Sequence, residues 1–327
     1  STIGFGSIDK SPNQRSREEL KQYGLISSLN LGQLLPNKWE IQIPVSYSIS
    51  EEFSTPEYDP FYQDIKLEDR INSATRNSQK DSIKSQAISY RKVSSINLLG
   101  VKKNRSAEQK ERVYDIENFD FSYSYNQEIQ HDYEIENFSK KTARVSSAYN
   151  YTFNPFVISP FKKIKFLENN KYLEWIKEFN FNPLLSSLSF DANINRTFNS
   201  QRFRDIFVEG ADSSNQIALP EIQQRNFLFD WNLSLSQNLS NSLRIDFSAS
   251  NNSIVKNYFE TDVMGDMAVN KELDIWDGFW NTGEANSHNQ SFGVTYELPF
   301  KLFPFINFIA SSYNYSGDFN WERGSDV

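Results

Sequence analysis

Arg225-Asn226-Phe227-Leu228-Phe229-Asp230-Trp231-Asn232-Leu233-Ser234-Leu235-Ser236, with its return Leu243-Arg244-Ile245-Asp246-Phe247-Ser248-Ala249-Ser250, decides the fold. Phe227, Phe229, Trp231, Leu233 and Leu235 alternate with Asp230, Asn232, Ser234 and Ser236. Leu243, Ile245, Phe247 and Ala249 alternate with Arg244, Asp246, Ser248 and Ser250. A side-chain period of two, apolar on one face and charged or hydroxylic on the other, marks strands lying between two unlike environments. Both apolar sets fall on odd numbers, so pairing them face to face requires an odd number of residues in the turn at Gln237 to Ser242. An even count would set Phe against Asp.

The same alternation recurs along the chain. Strands are expected near 1–8, 23–33, 38–50, 86–99, 113–126, 138–153, 184–198, 226–236, 243–255, 287–298 and 304–316. Trp39, Ile41, Ile43, Val45, Tyr47 and Ile49 oppose Glu40, Gln42, Pro44, Ser46, Ser48 and Ser50. Phe119, Phe121, Tyr123 and Tyr125 oppose Asp120, Ser122, Ser124 and Asn126. Pro44 has no amide donor and suggests a bulge or an unpaired edge. The last strand is ambiguous, with Phe305 and Ile309 on one face and Ile306, Phe308 and Ala310 on the other.

Composition narrows the setting of these strands. Hydrophobic residues make up only 38% of the 327 residues while aromatics reach 15%, which favours single-sided burial of large rings over a thick core. No apolar run approaches the length of a membrane helix. The net charge is -8 and basic residues are scattered, so nucleic acid is not an expected partner. Cysteine is absent, which removes disulfides and thiol chemistry from the sequence given. Both ends read as cuts through a longer protein.

The connections alternate in character. Turns near 33–37, 237–242 and 299–303 are short, whereas 51–86, 200–224 and 256–286 are long and polar. Walking the strands up and down sorts these onto opposite sides, as in an outer-membrane β-barrel with short periplasmic turns. The expected fold is therefore all-β: a section of an antiparallel transmembrane β-barrel in the cell outer membrane, with residues 1–327 forming part of one domain. An odd count of eleven strands calls for further strands to close it. On this reading Phe227, Phe229, Trp231, Leu233, Leu235, Leu243, Ile245 and Phe247 face the lipid bilayer. Asp230, Asn232, Ser234, Arg244 and Asp246 face a water-filled lumen.

Two connections on the short-turn side break the rule, 101–112 and 154–182. The second carries Tyr172, Leu173, Ile176 and Phe179 at helical spacing, with Trp175, Phe166 and Leu167 widening the apolar side. A short amphipathic helix is expected, lying at the membrane interface, closing part of the periplasmic mouth, or packed on other protein surface. Lys162, Lys163 and Lys165 beside it meet either lipid phosphates or solvent.

Chemistry has few candidates. A Ser-His-Asp hydrolase would have to use His131 or His288, and neither sits in a nucleophile motif. Asp262, Asp266, Asp274 and Asp277 crowd one loop without the spacing of a calcium-binding EF-hand. Gly278 and Gly283 flank Phe279 and Trp280, which suggests a tight aromatic loop tip, either a partner contact or a packed lid. No catalytic residue, cofactor or metal is expected.

Four stretches carry a resemblance. Ser16-Arg17-Glu18-Glu19 before Tyr23-Gly24, Leu34-Leu35-Pro36-Asn37-Lys38-Trp39, Tyr58-Asp59-Pro60-Phe61-Tyr62-Gln63-Asp64-Ile65, and Tyr172-Leu173-Glu174-Trp175 through Phe179-Asn180-Phe181-Asn182-Pro183 resemble the SprA (Sov) family. These are giant outer-membrane translocon barrels of the type IX secretion system of Bacteroidota. The resemblance implies a conduit exporting folded cargo proteins, with a PorV shuttle barrel, a periplasmic plug protein and secreted cargo as partners, and a role in gliding motility. Two other readings stand beside it, an uptake or lipid-export barrel and a surface β-sandwich adhesin.

Overall fold

The computed structural model describes residues 2–5, 17–106, 108–164, 166, 171–204, 219–255 and 274–324. Leu167 and Lys165, Asp262 and Asp266, and most of the two loops between 205 and 273 lie outside the described residues. The strands are β1 (Thr2–Phe5), β2 (Arg17–Asn30), β3 (Ile41–Gln42), β4 (Pro44–Pro56), β5 (Ser89–Lys103) and β6 (Phe119–His131). They continue as β7 (Ile135–Thr152), β8 (Ser187–Phe203), β9 (Ile222–Asn238), β10 (Leu243–Val255), β11 (Glu284–Leu298) and β12 (Ser311–Glu322). All form one antiparallel sheet in sequence order, with the two-residue β3 attached to β5. Among the described residues the second sheet that a sandwich requires is absent, and no pairing joins the two ends of the order.

All eleven expected strands are present in the expected order, with displaced limits. Glu40 takes a left-handed conformation after the short helical turn Asn37–Trp39, so Trp39 lies outside the strand. Pro44 marks no bulge. It is the first residue of β4, where proline is tolerated, opposite Asn30. The last strand starts at Ser311 rather than near 304, because Phe300–Leu302 form a helical turn and the following residues further turns. Its ambiguity is thereby resolved: Tyr313, Tyr315, Phe319 and Trp321 share one face.

The hairpin register bears out the parity argument. Arg244 pairs with Asn238 across five residues, and Phe247 pairs with Leu235 and Ala249 with Leu233. This two-faced order extends across the whole sheet. One row runs Val45, Leu98, Tyr123, Val145, Ile194 and Phe229, while Ser46, Asn97, Ser124, Arg144, Asn195 and Leu228 stand in the row beside it on the opposite face. A bulge in β5 maintains the pattern. Gly100, at φ +72°, absorbs the extra residues between Leu98 and Val101, so that both stay on the apolar face opposite Tyr123 and Phe121.

Register also gives the inclination of the strands. Phe119, the first residue of β6, lies in one row with Tyr149, Phe190, Leu233, Ala249, Gln290 and Phe319 on the next six strands. Phe319 is the ninth residue of β12. The row gains eight residues over six steps relative to the strand starts, or about 1.3 per strand. With a rise of ~3.3 Å and a spacing of ~4.8 Å, the strands incline by about 40°. Barrel walls need this stagger, and transmembrane strands tilt by about 35–45°.

A single sheet with no second layer over most of either face exposes far more surface than a globule. The accessible area is 23069 Å², against about 14,000 Å² for a compact monomer of this mass.

The sorting of the loops is weaker than expected. β6 and β7 meet on the long-loop side in a three-residue turn, Asp132 to Glu134, closed by Asp132 Oδ1 accepting from Glu134 N and Ile135 N at 2.8 and 2.7 Å. The 57–88 connection on that side carries helices α1 (Leu67–Ser73) and α2 (Asn77–Ala87). Arg204, just past β8, ties α2 to the tight turn by donating to Ser85 O and Asp132 O at 2.7 and 2.8 Å.

Candidate functional site

The feature with functional content is the pair of faces. Among the residues expected to face lipid, all eight share one face of β9 and β10, and the five expected to face a lumen share the other. The apolar stretch spans Phe119–Tyr125 on β6, Leu188–Ile194 on β8, Phe227–Leu235 on β9, Leu243–Ala249 on β10 and Phe292–Leu298 on β11. That is six to eight residue steps, on the order of 20–26 Å along the strand. Its rings touch across strands, Phe119 with Tyr149 at 4.9 Å and Phe190 with Trp231 at 6.3 Å. Toward the long loops the same face turns polar at Glu51, Gln127, Lys141, Arg196, Arg225, Asn251 and Gln290.

The opposite face is a mesh of polar groups that bond across and along strands. Ser48 and Ser95 hydroxyls lie 2.6 Å apart, Asn232 Nδ2 donates to Asp191 Oδ2 at 2.7 Å, and Arg244 Nε donates to Asp246 Oδ2 at 2.8 Å. These side chains suit a water-wetted surface, because each keeps a partner and remains partly exposed.

Phe227 departs from the expected lipid exposure. It lies on the apolar face but is 1% exposed, covered by residues 274–281, a strap that folds back from the β10–β11 loop across β9, β8, β7 and β6. Ile275 and Phe279 of the strap are buried with Ala143, Phe198 and Phe227, forming an apolar core cluster on the apolar face of the sheet. Arg196 is fully buried beneath it. Its guanidinium donates to Phe279 O at 2.9 Å, Asn281 O at 2.6 Å and Leu228 O at 2.6 Å. Lys141 Nζ pairs with both oxygens of Asp274 at 2.7 and 2.9 Å, Arg225 donates to Asp277 O, and Trp276 stacks on Tyr125 at 5.7 Å. Of the two expectations for the tip around Phe279 and Trp280, the structure shows the packed lid. Gly283, at φ +67°, ends the strap so close to the Ile254 carbonyl that a Cβ would collide with it.

One carboxylate contributes a titratable part of the strap's docking. Burial raises the Asp274 pKa, but hydrogen bonds from Lys141 and Ile275 N, with the charges of Lys141 and Arg225, outweigh it and hold the carboxyl below its ordinary value. A folded pKa below the unfolded one means that this stabilisation is complete above the ordinary carboxylate range and disappears as pH falls through the lowered value. The mobility of a spin label at Trp280 is therefore expected to stay constant from about pH 8 to about pH 5 and to increase only below about pH 4. An onset near neutrality would assign the docking to another group.

At the short-turn end the expected helix is shorter than predicted. A helical turn at Lys171–Leu173 runs into α3 (Glu174–Lys177), a single α-turn. Tyr172 stacks on Phe305 at 5.6 Å, Trp175 on Phe303 at 6.1 Å, and Phe179 meets Phe161 at 6.1 Å. Leu173 and Ile176 are half-buried. Of the three settings expected for it, packing on other protein surface describes these contacts, since the β11–β12 connection supplies the partner rings. The insert is pinned to the hairpin turn by Asn182 N donating to Leu239 O and Asn241 N donating to Asn180 Oδ1, both at 2.8 Å. A cleft of about 590 Å³ between the insert, the hairpin turn and the β11–β12 connection is lined by Glu174, Glu178, Glu297 and Lys301 among others.

The two histidines are five strands apart in the sheet order. His131, at the loop end of β6, packs on Tyr90 at 5.4 Å. His288 lies beside Gln290 on β11 at 2.8 Å. No group of three His, Asp or Glu side chains converges in a metal-binding arrangement among the described residues.

The Tyr58–Ile65 stretch is a self-contained loop. Asp59, fully buried, accepts from Phe61 N at 2.8 Å and Tyr62 N at 3.2 Å and forms an ion pair with Arg70 of α1. Arg70 lies over the Tyr62 ring at 4.6 Å, and Leu67 is buried under the loop. The residues that carry the resemblance there thus hold the chain's course from β4 into α1.

No curated protein matches the chain. Residues 1–71, which cover β1, β2, β4 and the Asp59 loop, match the SprA_N model, a motility related/secretion protein family, and through that segment the chain is related to the SprA family.

Proposed function

We propose that this chain is a length of the wall of an outer-membrane protein-conducting barrel, the translocon of a type IX secretion system. The observation that supports it is the single two-faced sheet, inclined by about 40° and ringed on one face by an apolar belt, in a chain whose first 71 residues match a motility and secretion family. The apolar face meets lipid, and the Ser, Asn and Asp face lines the water-filled passage. Both edges of the sheet are open. β12 pairs only with β11, and Lys21 to Asn30 of β2 pair only with β4 among the described residues. Long open edges are aggregation hazards unless another strand takes them up, so the wall continues on both sides. The chain itself performs no chemistry in this reading; PorV, a plug protein and secreted cargo are its partners.

Loss of the full-length gene product is expected to leave type IX cargo in the periplasm and to abolish gliding where the cell glides. Normal secretion would remove the conduit reading while leaving the wall intact. The wall itself is tested by charge: Leu233→Arg on the belt is expected to cost about 2–4 kcal/mol, and Ser234→Arg to be tolerated. Equal costs in a refolding titration would count against lipid on either face.

A further inference from the structure

We infer that the strap 274–281 is an anchor for the lipid headgroup region on the long-loop side, with Trp280 and Trp276 as the groups that enter it; this rests on the wall reading above. The strap stands where the apolar belt ends. Beneath it the face changes from Tyr125 and Ile194 to Gln127, Lys141, Arg196 and Arg225. All three cations are turned inward to strap carbonyls or to Asp274, which leaves the outer surface of the strap to aromatic rings. Trp276 is 49% and Trp280 71% exposed, although Phe279 between Trp280 and the sheet is buried.

Those rings are held rigidly. Trp276 stacks on Tyr125 and meets Phe279 at 5.3 Å, and Phe279 meets Trp280 edge-on at 5.1 Å. An indole has an apolar body and one donor, so the boundary between hydrocarbon and headgroups suits it better than water or lipid tails. The apolar belt continues directly below, which places that boundary at the level of the strap. The occupant of this surface is thus the bilayer interface, and the strap fixes how deep the wall sits.

These 327 residues contain no cysteine, so depth can be read from single labels once any cysteine elsewhere in the full chain is replaced. The full chain, carrying Trp280→Cys, Leu233→Cys or Ser234→Cys with an environment-sensitive fluorophore, is reconstituted into phosphatidylcholine vesicles containing nitroxide at the headgroup or at the chain centre. The inference predicts that the label at 280 loses more intensity to the headgroup quencher and the label at 233 more to the chain-centre quencher, with 234 losing little to either. A label at 280 that neither quencher reaches, while 233 is quenched, overturns the anchor and leaves the wall reading standing. That outcome with shielding from aqueous iodide would identify a protein covering the strap. If 233 is also unquenched, the wall reading and the anchor fall together.

Discussion

Replacing Arg196 by Met is expected to release residues 274–281 from the sheet while leaving the strands paired. The guanidinium is fully buried and donates to four carbonyls, two of them on the strap. Hydrogen bonds from a charged donor contribute about 1.5–3 kcal/mol each, and a buried acceptor left bare costs further. The strap should lose about 3 kcal/mol or more of its docking free energy, which accelerates amide exchange across Ile275 to Asn281 by about 100-fold or more. Met retains the apolar contact with Phe227 and Phe279, so the loss isolates the polar part. Arg196→Lys should fail to restore protection, because an ammonium cannot offer the planar fork that spans carbonyls of two segments. Unchanged exchange in the strap would show that Ile275 and Phe279 hold it alone.

The second large effect is expected at Asp59. Asp59→Ala removes the acceptor of two backbone amides and strands Arg70, a loss of about 3–5 kcal/mol for a buried pair broken on one side. The damage should stay local, since the Tyr58 to Lys66 bridge closes the loop on itself. Limited proteolysis is expected to cut the variant between Glu57 and Ser73 while the hairpin of β9 and β10 survives. Asp59→Asn should be milder, because an amide oxygen still accepts from Phe61 N and Tyr62 N. Wild-type resistance in the Ala variant would remove Asp59 from its role as the centre of the loop.

The strands were legible because a sheet with unlike solvents on its faces imposes a period of two that nothing else in the chain mimics. Even the hairpin register followed from parity, as Phe247 opposite Leu235 shows. Strand ends were not legible where aromatic residues serve a different purpose. Pro304 to Ala310 read as the start of a strand, yet these residues lie outside it, and Phe305 offers its ring to Tyr172. The strap was half legible. Its glycines and aromatic tip were visible, but the surface it covers is formed across four strands, and neighbouring strands carry no sequence signal of their relative height. One sign was available: on β8 the even-numbered series Leu188, Phe190, Ala192, Ile194 breaks at Arg196 and resumes at Phe198, and on β9 Arg225 precedes Phe227. A cation inside an apolar stripe announces a covering segment, because bare lipid would penalise it.

The central claim is that the apolar face of this sheet meets lipid and the polar face water. It is tested most directly by spin labels placed singly from Phe227 to Ser236 in the reconstituted full chain, with relaxation by oxygen and by a water-soluble nickel chelate. The account predicts alternation of period two, with 229, 231, 233 and 235 more accessible to oxygen and 230, 232 and 234 to the chelate. Position 227 should be shielded from both by the strap. Loss of the alternation, or a label at Leu233 no more accessible to oxygen than one at Ser234, would contradict it.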